Sequence, residues 1–231
     1  MEDRRLILKN SQIKYLRNEA LKFSVNLSRQ HLELLSLYIK YLVEWNNSIN
    51  LIGISETDRI INELILDSII AIPFVPEKGR MIDLGSGAGF PGIVIKIFHP
   101  SLEITLIDSN RKKISFLKQI IRELNLIDIN VLNTRVENVR EQFIKSFDIV
   151  TSRAMTDLSN IIELCYDFLT DKGIIIGFLG GNTREELKKS HTAMLTYSLA
   201  LDNSVDYELP GKKNKRTIVI LKKIRRDGRL I

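Results

Sequence analysis

The chain has 231 residues, of which 44% are hydrophobic and 27% charged. Those proportions exclude a disordered or fibrous chain and suffice for one large domain with or without an appendage. One cysteine, Cys165, excludes an intrachain disulfide, and the net charge of +6 is uneven: residues 211–231 hold nine Lys or Arg against one acid, Asp227, while the remainder is slightly acidic. A basic element on a near-neutral body suits a polyanion, though it also suits solubility. Met1-Glu2-Asp3-Arg4-Arg5 has no apolar stretch of a signal peptide behind it, and the best apolar run, residues 64–75, is split by Asp67. A soluble, cytoplasmic protein with no membrane segment is expected.

The first third predicts helices. Leu6, Ile13, Leu16, Ala20 and Phe23 recur near helical spacing. Ser28 is an N-cap for a second helix with Leu32, Leu35, Ile39 and Leu42 on one face. Ser55-Glu56-Thr57-Asp58 has the form of a capping box, with Asp in place of Glu, ahead of Ile60, Leu64 and Ile65. Pro73 and Pro76 punctuate the chain. From Arg80 strands alternate with helices: strands at 81–84, 104–107, 129–132, 147–150 and 173–176, helices at 91–98, 110–124, 158–169 and 184–195. Two consecutive strands follow, near 198–208 and at 216–221, joined through Pro210-Gly211. This order predicts an α/β fold with a doubly wound, mostly parallel sheet, helices on both faces and an antiparallel hairpin at one edge. An N-terminal helical cap takes residues 1–75 and the main domain residues 76–231.

The most informative segment is Asp83-Leu84-Gly85-Ser86-Gly87-Ala88-Gly89-Phe90-Pro91-Gly92, which leaves a strand and enters a helix. Glycines there let the backbone turn tightly and approach a ligand. Gly87 to Gly92 satisfies G-x-G-x-x-G, yet two features disfavour a pyrophosphate. Asp83 would repel it and attract a cation, and Pro91 removes a donor from the helix start. S-adenosylmethionine, with an ammonium, a sulfonium and no phosphate, fits better. Asp108 ends the second strand, 23 residues after Gly85, where an acid accepts ribose hydroxyls; its bland alternative is a helix N-cap. Glu137 follows the third strand, either near the adenine end or as a first-turn helix carboxylate.

Trp45-Asn46-x-x-x-Asn50-Leu51, Leu66-Asp67-Ser68, the glycine loop with Phe90-Pro91-Gly92, Leu106-Ile107-Asp108-Ser109, Lys113 with Phe116-Leu117, Arg135-Val136-Glu137 and Ser152-Arg153-Ala154 occur in that order. Together they resemble the bacterial 16S ribosomal RNA guanine-N7 methyltransferases, the RsmG or GidB family. The resemblance runs from about Leu32 to the last strands. It implies the class I, Rossmann-like methyltransferase fold, S-adenosylmethionine as cofactor, and 16S ribosomal RNA or the small ribosomal subunit particle as partner. By position it implies cofactor or site contacts at Gly85, Phe90, Val136, Glu137 and Arg153; Gly87 and Asp108 complete the cofactor set. Leu64 stands where the family commonly has His, and Gly180 where it commonly has Lys. Two other readings remain: a small-molecule methyltransferase, which has no use for the basic terminus, and an RNA-binding module with weakened catalysis.

Guanine N7 bears a lone pair and no proton, so methyl transfer needs positioning rather than a general base. No catalytic residue is therefore assigned. Substrate contacts are expected at Asn46, Arg153, Lys215 and Arg216, with the C-terminal cations on RNA phosphates. For Arg153 the structural alternative is a salt bridge to Asp157; for Trp45 it is packing of the cap on the sheet. Cys165, among Ile161, Ile162, Leu164 and Phe168, reads as core rather than as a nucleophile. His31, His99 and His191 lack zinc-like spacing, so no metal is expected.

Overall fold

Hydrophobic strands flanked by amphipathic helices sort here into three layers. The computed structural model describes residues 7–153, 157–180, 183–211 and 215–224. Its strands are β1 (Gly79–Leu84), β2 (Leu102–Asp108), β3 (Ile129–Asn133), β4 (Phe147–Ser152), β5 (Leu169–Gly180), β6 (Leu199–Glu208) and β7 (Lys215–Lys223). They form one sheet in the order β3-β2-β1-β4-β5-β7-β6. β1 to β5 pair in parallel, and β7 runs antiparallel between β5 and β6. Period-2 alternation divides the strand residues between two cores. Met81, Ile104 and Ile149 join the first, while Ile82, Leu84, Ile107 and Val150 join the second.

The first core is covered by α1 (Asn10–Leu21), α2 (Arg29–Ile49), α5 (Gly92–Phe98) and α6 (Arg111–Glu123). It runs unbroken from Leu8 and Leu16 in the cap to Ile218 in β7, so the cap buries its apolar stripe against the sheet. α2 starts where Ser28 accepts the His31 amide and ends at Asn50 in the left-handed conformation. The chain then passes through α3 (Thr57–Ile60), a π-helical turn over Ile61–Leu66 and α4 (Asp67–Ile69). The second core is covered by α7 (Leu158–Cys165), with α8 (Thr183–Lys189) and α9 (His191–Thr196) beside it.

Three local expectations are corrected. The capping box at Ser55–Asp58 does not form: Glu56 is the N-cap and makes no side-chain cap bond, because Asp58 accepts the Gln12 amide at 2.7 Å instead. The helix expected over 158–169 ends at Cys165; a 3-10 turn, Tyr166–Phe168, leads into β5, whose first residue Leu169 is fully buried and paired with Phe147. The helix expected over 184–195 is broken at Ser190, which is buried with its hydroxyl 3.1 Å from that of Ser159. Leu6 and the Gly181 beside the family's expected lysine position lie outside the described residues.

α2 also reaches the glycine loop. Tyr38 is fully buried, donates its hydroxyl to the Ala88 carbonyl at 2.6 Å and packs on Phe90 with ring centroids 5.2 Å apart. Burial pushes its phenol well above the usual range, so it stays a donor. Tyr38→Phe, which leaves that buried carbonyl unpaired, should cost about 1–3 kcal/mol in urea unfolding. An unchanged midpoint would show that this bond does not hold the loop.

Candidate cofactor and substrate site

The strand order reverses at β1, between β2 and β4, and the carboxyl ends of these strands form the crevice where open α/β sheets take ligands. The loop leaving β1 needs glycine twice over. Gly89 has φ +101°, and a Cβ there would lie 2.5 Å from Ile93; at Gly92 a Cβ would strike Leu106 and lie 2.8 Å from the Asp83 carboxylate. The Ser86 amide, at 2.9 Å, bonds the Ile107 carbonyl and ties the loop to β2.

Asp83 lies beneath this loop and not in its mouth. It is fully buried, accepting the Thr151 hydroxyl at 2.9 Å and the Gly92 amide at 3.0 Å. This corrects the expectation that it meets a cationic ligand directly: its carboxylate is taken up by the backbone it supports. Burial raises its pKa to about 6, against the two hydrogen bonds and the nearby Arg153, which lower it.

The predicted cofactor residues largely converge. Gly85, Asp108, Val136 and Glu137 line one cleft of about 350 Å³. Asp108 accepts the Gly87 amide at 2.9 Å through Oδ2 and the Asn110 amide at 2.8 Å through Oδ1. The N-cap of α6 is Asn110, which accepts the Lys112 amide, so Asp108 is no cap. Lys113 Nζ stands 3.9 Å from Asp108 Oδ2. Val136 and Glu137 begin a 3-10 turn after β3, with Glu137 exposed. Phe90 is buried under Tyr38, outside the lining of this cleft, and the Arg153 guanidinium lies 5.9 Å from its ring centre.

Arg153, past the end of β4, does not pair with Asp157, which instead caps α7 by accepting the Asn160 amide. Its Nε is 3.1 Å from Asp67 Oδ2 and its Nη2 donates to the Glu63 carbonyl at 2.7 Å. Asp67 is fully buried, and its Oδ1 also accepts Tyr207 Oη at 2.6 Å and Arg216 Nη1 at 2.5 Å. Burial, together with this carboxylate, pushes the Tyr207 phenol well up. One carboxylate thus gathers two of the predicted substrate arginines. Arg216 is thereby anchored inward, with about a third of its side chain exposed. Lys215 is exposed, while Lys212, Lys213, Arg225 and Arg226 lie outside the described residues, as does Ala154.

Asn46 lies in the last turn of α2. Its amide donates to the Ile54 carbonyl at 2.9 Å and its Oδ1 accepts the Ile52 amide at 2.8 Å, so it braces the turn after α2. Trp45 packs edge-on against Phe116 at 5.7 Å, joining cap to α6. Cys165 is buried, and burial pushes its thiol far up, so it stays protonated. Leu64 is nearly buried within the π-helical turn; Gly180 is exposed, with open space where a Cβ would point, and pairs with Arg216 across the sheet. Among the described residues no helix is long and apolar enough to cross a membrane.

Tyr38, Thr151 and Tyr207 were not singled out from sequence, and Asp67 was assigned no role. For Asp67 a signal existed, since a charge inside an apolar run must find partners once buried.

A family model described as rRNA small subunit methyltransferase G (GidB) matches residues 31–219. The "Ribosomal RNA small subunit methyltransferase G" of Syntrophus aciditrophicus is 39% identical over 209 residues, covering 88% of this chain and 86% of that one. The protein of the same name from Bacillus subtilis is 35% identical over 205 residues, covering 87% and 86%. The crystal structure of M. jannaschii TYW2 in complex with AdoMet is similar with a TM-score of 0.54 at 14% identity, covering 64% of this chain and 70% of that chain, which shows a shared fold.

Two outcomes are expected of the buried carboxylates. Asp67→Asn weakens the pairing of both arginines and should cost about 3 kcal/mol, the low end for a broken buried pair because both guanidiniums keep some contact with water; equal urea midpoints for variant and parent would refute this. The folded chain binds the Asp83 proton more tightly than an unfolded chain, where the carboxyl titrates near 3.8. Ionisation therefore weakens the fold as pH rises from about 4 to about 6, and the group's stabilising effect is complete only below that window. Asp83→Asn cannot ionise, so its stability relative to the parent should rise by about 3 kcal/mol between pH 4 and pH 7. A difference that stays constant with pH would mean that Asp83 titrates as in water.

Proposed function

This chain belongs to the GidB family, and on that premise we propose that it transfers the methyl group of S-adenosylmethionine to N7 of a guanine in 16S ribosomal RNA, free or within the small subunit particle. The observation that carries the reading is the convergence of Gly85, Asp108, Val136 and Glu137 on one cleft beside a glycine loop at the switch point. The residues there suit this cofactor. A carboxylate has about four acceptor positions; Asp108 uses one on Gly87 and one on Asn110, leaving positions for two ribose hydroxyls. Val136 offers an apolar surface and Glu137 an acceptor for the amino group of the adenine.

When bound, the cofactor supplies an electrophilic methyl group on a positively charged sulfur. Guanine N7 bears a lone pair and no proton, so no residue of this chain would have to act as a base. The chain's own task is to hold donor and acceptor in line and to exclude water. Arg153 is held beside the loop by Asp67 and Glu63, where it is placed to orient the base or a neighbouring phosphate. Lys215, with the outward part of Arg216, offers a cationic surface for the RNA backbone.

Mapping N7-methylguanosine in 16S ribosomal RNA from cells with and without the gene tests the reaction: one modified guanine should disappear on deletion, and identical maps would refute it. In vitro, Asp108→Ala removes charge-assisted bonds worth roughly 1.5–3 kcal/mol, so the calorimetric affinity for S-adenosylmethionine should fall about tenfold or more. Unchanged affinity would remove Asp108 from the cofactor site.

A further inference from the structure

We propose that the exposed face of α6 is a second contact surface for RNA phosphates, across the cofactor cleft from Lys215 and Arg216 at the start of β7; this rests on the RNA-directed function proposed above. α6 carries Arg111, Lys112, Lys113, Lys118 and Arg122 against a single acid, Glu123. That acid accepts the Tyr41 hydroxyl at 2.7 Å, toward the cap. Arg111, Lys112 and Lys118 are exposed. Among the described residues none of these three meets a carboxylate within 4.0 Å.

Other surface helices of this chain are built differently. Arg29 pairs with Glu33, Lys40 with Glu44, Arg59 with Glu63 and Lys189 with Glu185, each one turn along the same stretch of helix. Solubility is served equally well by such mixed pairs, so it does not account for a single-sign face. Helix stability does not account for it either: the first turn of α6 has three cations and no acid, against the direction its dipole favours. A local rule broken with no structural gain points to a functional surface.

The placement fits a long polyanion. Arg111, Ser115, Lys118 and Arg122 follow the 4-3-4 spacing of one stripe, and Arg111 lies about 10 Å along the axis from Lys118. α6 starts just beyond Asp108, at the carboxyl end of β2. Arg216 pairs with Gly180 at the carboxyl end of β5, so Lys215 and Arg216, which open β7, stand at the same end of the sheet. β2 and β7 are four strand spacings apart, about 19 Å, with the glycine loop between them. RNA laid across this end meets cations on both flanks of the methyl donor. Two such holds fix the height and angle of the backbone, which one patch cannot do. Lys113 faces Asp108 and is not counted in this surface.

The test is the triple variant Arg111→Gln, Lys112→Gln, Lys118→Gln in the full chain, with a 16S ribosomal RNA transcript as probe. Three lost phosphate contacts should flatten the slope of log affinity against log salt by about 2 and weaken RNA binding about tenfold or more near 0.1 M salt. KM for RNA should rise with kcat unchanged, cofactor affinity should stay at the parent's value, and Tm should be equal or higher. Parental RNA affinity and salt slope in the variant overturn the proposal, while guanine methylation by the parent leaves the proposed function standing. A variant that keeps parental RNA affinity but loses binding to phosphatidylserine vesicles assigns the face to a membrane surface and overturns it too.

Discussion

Taking a carboxylate out of water costs several kcal/mol unless charges and hydrogen bonds replace the lost solvation, and Asp67 obtains that replacement from three directions. Arg153 comes from the end of β4, Tyr207 from β6 and Arg216 from β7, while Asp67 itself opens α4 in the cap. These contacts span up to 149 residues of sequence. They lock the cap, the sheet's switch point and the antiparallel strand into one arrangement, and they set where two arginines stand relative to the glycine loop. With Asp67 absent, each of those elements would still form locally, but Arg153 would keep only the Glu63 carbonyl to hold it near Phe90, and Arg216 would lose its carboxylate partner.

The glycine loop is held from both sides by different chemistry. From below, Asp83 takes the first amide of α5 and the Thr151 hydroxyl of the neighbouring strand. From above, Tyr38 takes the Ala88 carbonyl and covers Phe90. The upper clamp belongs to α2, so the N-terminal helices help to hold the glycine loop in place. The Asn46–Asn50 motif is tied to the same arrangement at the other end of α2, where Asn50 ends the helix in the left-handed conformation. Asn46 braces the turn that ends α2, and α2 carries Tyr38 at the correct height.

The sheet and its helices were legible because their signals are local: period-2 and period-3.6 patterning, Ser28 and Asn110 at helix starts, glycines after a strand. Gly85, Asp108, Val136 and Glu137 are legible as neighbours because they sit at or just past strand ends, a position that the α/β topology fixes in advance. What escaped was long-range and polar. Whether Arg153 turns to Asp157 four residues on or to Asp67 across the fold depends on burial, and sequence spacing favours the near partner. The direction of the Asp83 side chain was misjudged for the same reason, since a charge beside a glycine loop reads as ligand-facing until the loop's own unpaired amides are considered. Helices 158–169 and 184–195 were drawn too long because apolar periodicity continues through Leu169 into a strand and through Ser190 into a kink.

The π-helical turn over Ile61–Leu66 has a consequence in terms of helical phase. In an α-helix every residue advances the side-chain direction by about 100°, so the wider turn ahead of Asp67 sets the bearing on which its carboxylate emerges. Ordinary i→i−4 bonding over the same six residues would wind them more tightly. Over six residues the extra winding would sum to about one residue's advance, rotating Asp67 by about 100° relative to α3, out of the angular window shared by Arg153, Tyr207 and Arg216. The locally smoother helix is therefore incompatible with the long-range one, and the count of residues between Thr57 and Asp67 constrains the site as firmly as their identities do.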